Sequence, residues 1–195
     1  MGKKWFLVLV AACLCGQAMG TIIWESDMSS LDGWGESSNA ANEAGPTTGG
    51  IRVVGGENVQ MNSWWDGAGY TNMWKDTGAV IQDEMVYWVS FRMTSYADGA
   101  PVSLTAKNVT SPSWLTLDEE SVAPPTGDWQ TFKLSFSTIG DQNSDAIGNT
   151  IGVGVSPGWW NNLAVDHISI NEVPEPVTLA VLGLGGLGLL RRRKA

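Results

Sequence analysis

The residues able to do chemistry are few and unevenly placed. His167 is the one histidine of the 195 residues, and both cysteines, Cys13 and Cys15, stand near the N-terminus. A serine–histidine–acid triad needs a histidine beside its nucleophile, and a zinc centre needs three or four His, Cys or carboxylate ligands, so neither is supported. No glycine-rich phosphate loop leads into a helix. His167 is expected to pack or hydrogen-bond at a sheet surface. Two carboxylates alone can cleave a glycoside, but with 20 Asp and Glu in the chain no pair stands out. Asp118-Glu119-Glu120, in a turn-rich stretch, reads as a solvated charge run.

Tryptophan is the unusual component, with eleven in the chain and all but Trp5 beyond the first twenty residues. A flat, rigid indole stacks on the apolar face of a sugar, so exposed tryptophans on a sheet suggest a glycan platform. Trp24, Trp34, Trp88 and Trp129 adjoin or lie in apolar strand patterns and are expected in the core or at its rim. The doublets Trp64-Trp65 and Trp159-Trp160 differ. Neighbouring strand residues point to opposite faces, so at most one of each pair can be inside unless a loop bends the backbone. Asp66-Gly67 follows the first doublet and Pro157-Gly158 precedes the second. Trp64, Trp65, Trp159 and Trp160, with Trp74, are therefore the candidate glycan-binding residues.

These side chains must be positioned by strands, because no stretch between the two chain ends sustains a 3.6-residue apolar period, whereas several short ones alternate. Met85, Tyr87, Val89, Phe91 and Met93 share one face of residues 84–93, with Glu84, Val86, Trp88, Ser90 and Arg92 on the other. Phe132, Leu134 and Phe136 alternate with Thr131, Lys133 and Ser135. Further strands are expected at 22–26, 51–54, 59–62, 102–106, 114–117, 151–155 and 163–170. Turn formers such as Asp98-Gly99 and Pro124-Pro125-Thr126-Gly127 separate them. The pattern predicts an all-β protein, a single jelly-roll-like antiparallel β-sandwich over residues 21–171, with a mobile loop at 35–50.

Both ends are different in kind. Lys3 and Lys4 precede an apolar run and then Ala18-Met19-Gly20, which reads as a secretory signal helix over residues 1–20, cut by signal peptidase after Gly20. A competing Val10-Ala11-Ala12-Cys13 box would instead make Cys13 a lipidated N-terminus. Cleavage after Gly20 leaves no thiol, hence no disulfide and no cysteine nucleophile. At the other end, residues 172–195, Pro174-Glu175-Pro176 is stiff and extended. An uncharged apolar stretch from Val177 to Leu190 then meets Arg191, Arg192, Arg193 and Lys194. As a helix that stretch reaches roughly 20 Å, short of a ~30 Å hydrocarbon core, which suits transient membrane residence better than permanent anchoring. The formal charge is -9. Six of the eleven basic residues sit in the two ends, so the body is more acidic than the total suggests, and nucleic acid is excluded as a partner.

Pro174-Glu175-Pro176, the apolar helix and the Arg191–Arg193 cluster together resemble the PEP-CTERM sorting signal of Gram-negative bacteria. The resemblance implies export, passage through the inner membrane, processing by the membrane protease-transpeptidase exosortase, and a final place at the cell surface, often beside exopolysaccharide. A second resemblance lies in Trp24-Glu25-Ser26-Asp27, Asp32-Gly33-Trp34 and the closing segment 163–170, which look like the first and last strands of carbohydrate-binding-module jelly rolls. In many of those a structural calcium joins the two strands, which here implies Glu25, Asp27 and Asp166 as ligands. The competing reading leaves Asp166 bonded to backbone donors without metal. Two functions remain open: a non-catalytic glycan-binding module, or a structural matrix protein with no small ligand.

Overall fold

The computed structural model describes residues 20–37, 50–62, 72–96, 101–110, 113–158 and 162–174. The described chain forms two antiparallel sheets packed face to face. The first holds β3 (Gly50–Val54), β4 (Asn58–Asn62), β11 (Asn162–Pro174), β6 (Met85–Ser95) and β9 (Gln130–Ser137) in that order, with β1 (Thr21–Ser26) also paired to β11. The second runs β2 (Gly35–Ser37), β5 (Asn72–Val80), β10 (Thr150–Pro157), β7 (Val102–Thr110), β8 (Ser113–Val122). Among the described residues one 3-10 turn, Ser144–Ala146, interrupts the strands. The all-β sandwich is as the alternation predicts. The expected flanking helices fall on residues 1–19 and 175–195, outside the described residues.

Period-two patterning explains the core. Tyr87, Val89, Phe91 and Met93 are wholly buried on β6, and Leu134 and Phe136 join them from β9. From the facing sheet, Leu104, Ala106, Ile151, Val153, Val155 and Met73 close the interior. Tyr87 stacks on Phe136 at 4.8 Å between centroids, and its hydroxyl accepts the Gln82 backbone N–H at 2.7 Å. That bond satisfies the polar end of an otherwise apolar ring.

Two strands escape the sequence pattern. β5 (Asn-Met-Trp-Lys-Asp-Thr-Gly-Ala-Val) does not alternate cleanly, and its pairing with β10 shifts register between Thr150 and Gly152. β2 occupies the start of the expected loop at 35–50. Gly35 pairs with Trp74 there, so residues 35–37 are strand; residues 38–49 lie outside the described residues.

β11 organises the first sheet. Along one edge it pairs with β6 from Leu163 to Pro174; along the other it pairs first with β4 (Val165↔Val59) and then with β1 (Ile168↔Ser26). A bulge at Asp166, between Val165 and His167, marks the handover. The first and last strands of the body are thus neighbours, and β11 runs past residue 171 as far as Pro174.

Candidate functional site: a groove on the outer face of the second sheet

Alternation sends Val102, Leu104 and Ala106 of β7 inward and leaves Ser103, Thr105 and Lys107 outward. The registers Ser103↔Ser156, Thr105↔Gly154 and Lys107↔Gly152 place the two β10 glycines on that same outer face. These glycines are needed there. A Cβ on Gly152 would meet the Trp114 ring at 2.6 Å, and one on Gly154 would meet Thr105 Oγ1 at the same distance. Trp114, from β8, therefore reaches across β7 and lies against the backbone of β10. At the other side Trp74 covers Gly35 in the same manner, its indole filling the space a Cβ would take.

Between these two indoles lies a groove of about 430 Å³, floored by Gly154 and bordered by Asn72, Ser103, Thr105, Lys107, Glu119 and Ser156. Its polar groups are pre-set. Ser103 Oγ donates to Glu119 Oε1 at 2.6 Å, and Ser156 Oγ bonds Asn72 Oδ1. Two aromatic faces with hydroxyls, an amide, one cation and one carboxylate between them suit a ligand that offers apolar faces and hydroxyl edges. Glu119 is the single carboxylate among the described residues lining the groove. Paired-carboxylate chemistry would need a second one there.

Of the expected glycan residues, Trp74 is in this groove. Trp64, Trp65, Trp159 and Trp160 lie outside the described residues. In the chain, Asn72 follows the segment with the first doublet and Ser156 precedes the second. Trp114 falls in the strand expected at 114–117, which gives it no role in a site. Its signal was the alternating glycine of Ile151-Gly152-Val153-Gly154-Val155, a strand with one face left bare for a large partner. Asp118-Glu119-Glu120 lies within β8 and not in a turn; Glu119 and Glu120 are exposed, as a solvated run should be, while Asp118 Oδ2 accepts the Ser135 N–H of β9 at 2.9 Å and Glu119 lines the groove.

The other tryptophans divide. Trp24 and Trp34 are partly buried against the core and meet edge to face at 6.4 Å. Lys75 Nζ donates to the Asp32 carbonyl at 2.7 Å and sits 5.7 Å from the Trp34 ring. Trp129 lies under the Arg92 guanidinium at 5.3 Å. Trp88, expected at the core or its rim, is 41% exposed on the outer face of β6, because Tyr87 and Val89 claim the inner face.

The Glu25, Asp27 and Asp166 set is close in topology but differently occupied. Asp27 Oδ1 accepts both the N–H and the hydroxyl of Ser29, at 3.1 and 2.7 Å, and these bonds hold its pKa below the ordinary value. Asp166 Oδ2 pairs with Arg92 Nη1 at 2.7 Å. Burial nevertheless pushes the Asp166 carboxyl up, outweighing the attraction of Arg92 and His167. Glu25 stands exposed opposite Ser169. Among the described residues no group of three or more His, Cys, Asp or Glu is arranged to hold a metal ion. His167 lies on β11 beside Arg92, as a sheet-surface residue.

A search of curated proteins by sequence found no match. Among solved structures, a cyclase from Fischerella sp. TAU in complex with 4-(1H-indol-3-yl)butan-2-one is similar at TM-score 0.56 and 10% identity, over 80% of this chain and 91% of that one. The CBM22-1–GH10 modules of Clostridium thermocellum xylanase 10B, complexed with xylohexaose, match at TM-score 0.50 and 12% identity, over 78% of this chain and 28% of that one. A family 16 carbohydrate-binding module scores 0.45 at 12% identity, over 72% of this chain and 91% of that one. At such identities the likeness to the first two shows the fold. Among the described residues no helix is long and apolar enough to cross a membrane. The tail is matched directly: residues 172–194 are a PEP-CTERM protein-sorting motif, which implies an exported protein processed by exosortase.

Proposed function

We propose that the chain is an exported surface or matrix protein whose body is a non-catalytic glycan-binding module, delivered by its PEP-CTERM tail. The observation that carries the binding reading is the groove between Trp74 and Trp114, floored by glycine and edged by Ser103, Thr105, Lys107 and Glu119. A polysaccharide strand offers what this surface can use: ring faces for the indoles and hydroxyls for the polar rim. Trp64, Trp65, Trp159 and Trp160 remain candidate glycan-binding residues, close in the chain to Asn72 and Ser156. Glu119, already held by Ser103, orients a hydroxyl and performs no proton transfer. In this reading the tail would deliver the module to secreted polysaccharide, with signal peptidase and exosortase as processing partners.

A glycan array probed with the exported protein, followed by affinity electrophoresis of Trp74→Ala and Trp114→Ala, tests this. Retention by a defined polysaccharide that weakens about tenfold in each variant, a change of about 1.4 kcal/mol, is the expected result. An array with no signal, or variants that bind as the parent does, would hand the body to the structural-matrix reading.

A further inference from the structure

The first sheet carries a second groove, of about 420 Å³, lined by Gly20, Trp88, Ser90, Lys133, Asn171 and Val173. Both ends of the body leave from it. Thr21 pairs with Glu172 and Pro174 with Met85, and Gly20 is so close to β11 that a Cβ there would meet Val173 Cγ2 at 2.9 Å. Ile22 pairs with Asn171, and Asn171 with Trp88. The three therefore form one row on the outer face, in which Ile22 is 55% and Trp88 41% exposed. Lys133 Nζ stands 5.8 Å from the Trp88 ring.

The length of the tail fixes what this corner faces. Val173 lines the groove, and the uncharged apolar stretch begins at Val177. Four residue steps span at most ~14 Å even when fully extended. While that stretch sits in a bilayer, the Trp88 corner is held within about that distance of the hydrocarbon edge, of which the polar interfacial zone occupies roughly the first 5–8 Å. An indole, an aliphatic side chain and a lysine able to extend its ammonium outward are the residue types that settle at that depth.

From this juxtaposition we propose that Ile22, Trp88 and Lys133 form a membrane-contact surface, which rests the body on the lipid interface while the sorting tail is attached and turns the Trp74–Trp114 groove away from it. The inference depends on the tail being a membrane segment, as proposed above. Acidity of the body favours a zwitterionic surface over an anionic one.

The full chain, in a Trp5→Phe background so that every remaining indole lies in the body, is reconstituted in phosphatidylcholine vesicles with and without brominated acyl chains. Tryptophan emission should be quenched by the brominated lipid. Trp88→Phe should lose most of that quenching, and Trp114→Phe should keep it. As a second measurement, Cys13 and Cys15 are replaced by serine and a bimane is attached at Ile22→Cys. Its emission should shift to the blue on vesicles, while the same label at Leu115→Cys on β8 should not. Equal quenching in the Trp88→Phe protein and its parent, or equal shifts at the two labels, overturns the proposal while the chain still floats with the vesicles. Failure to float overturns the tail reading and this surface together.

Discussion

The outer faces of the two sheets make different use of the same residue types. On the first sheet, polar groups largely consume one another: Arg92 pairs with Asp166 at 2.7 Å and Arg52 donates to Gln60 at 2.9 Å. Trp88 there has Asn171 and Ser135 as cross-strand neighbours. On the second, Trp114 and Trp74 lie over Gly152 and Gly35, and the backbone approach opens a groove between them. Tryptophan content therefore does not mark the site. Indoles become a platform where glycine on an adjacent strand lets them lie against the sheet.

The largest test of this contrast crowds the glycine beneath Trp114. Gly152→Leu would put side-chain atoms into the space held by the Trp114 ring. Overpacking of this kind costs about 1–3 kcal/mol, and glycan retention should fall below detection because Trp114 is lifted. Urea denaturation and affinity electrophoresis read the two effects separately. Gly127→Ala, with nothing within 4 Å of the added Cβ, strains its left-handed turn but should leave retention intact.

The uneven legibility of the sequence has the same origin. Strands with one dry face, such as β6 and β9, show clean alternation because a single-residue slip would expose Phe91 or Leu134. β5 leaves no such period because Lys75, Asp76 and Gly78 serve a bulged strand whose inner face is covered only in part. The ends of β7 and β8 overran their expected limits for a similar reason: Asn108 is buried and Asp118 and Glu119 lie in the strand, which composition alone assigns to turns. Trp74 is legible through its indole, whereas Trp114 depends on a glycine thirty-eight residues further on, Gly152. Such long-range complementarity leaves no local period.

A smaller effect separates the two sheets at their shared rim. Asp118 of β8 accepts the Ser135 N–H of β9, so a carboxylate of one sheet covers an edge donor of the other. Asp118→Ala would leave that donor facing outward on an edge strand. Stability should drop by about 1 kcal/mol, and concentration-dependent self-association should appear in sedimentation velocity, since a bare strand edge invites pairing. Glycan affinity should not change, because Asp118 is outside the groove.

The smallest effect concerns charge on the first sheet. The Asp166 side chain is 17% exposed, and burial raises its pKa above 3.8 despite Arg92. Between 3.8 and that raised value the folded protein keeps a proton the unfolded chain has released. Its contribution is therefore fully present below 3.8 and is lost as pH rises through the folded value. Asp27 acts in the opposite sense: its pKa is lowered by Ser29, so its contribution is present above 3.8 and is lost as pH falls through the depressed value. The two windows meet at 3.8 without overlapping. Asp166→Asn supplies a neutral isostere of the form the fold prefers, and Arg92, 49% exposed, can turn to water. At pH 7 the variant should melt about 2 °C above the parent, with the gap closing as the pH approaches 3.8. Asp27→Asn should instead lower the melting point at pH 7 and lose the fall-off below 3.8. An Asp166→Asn variant that melts below the parent at pH 7, with the deficit closing as the pH falls below 3.8, would mean that Arg92, and not burial, governs this carboxylate, and that the first sheet's outer face is held together by its ion pair.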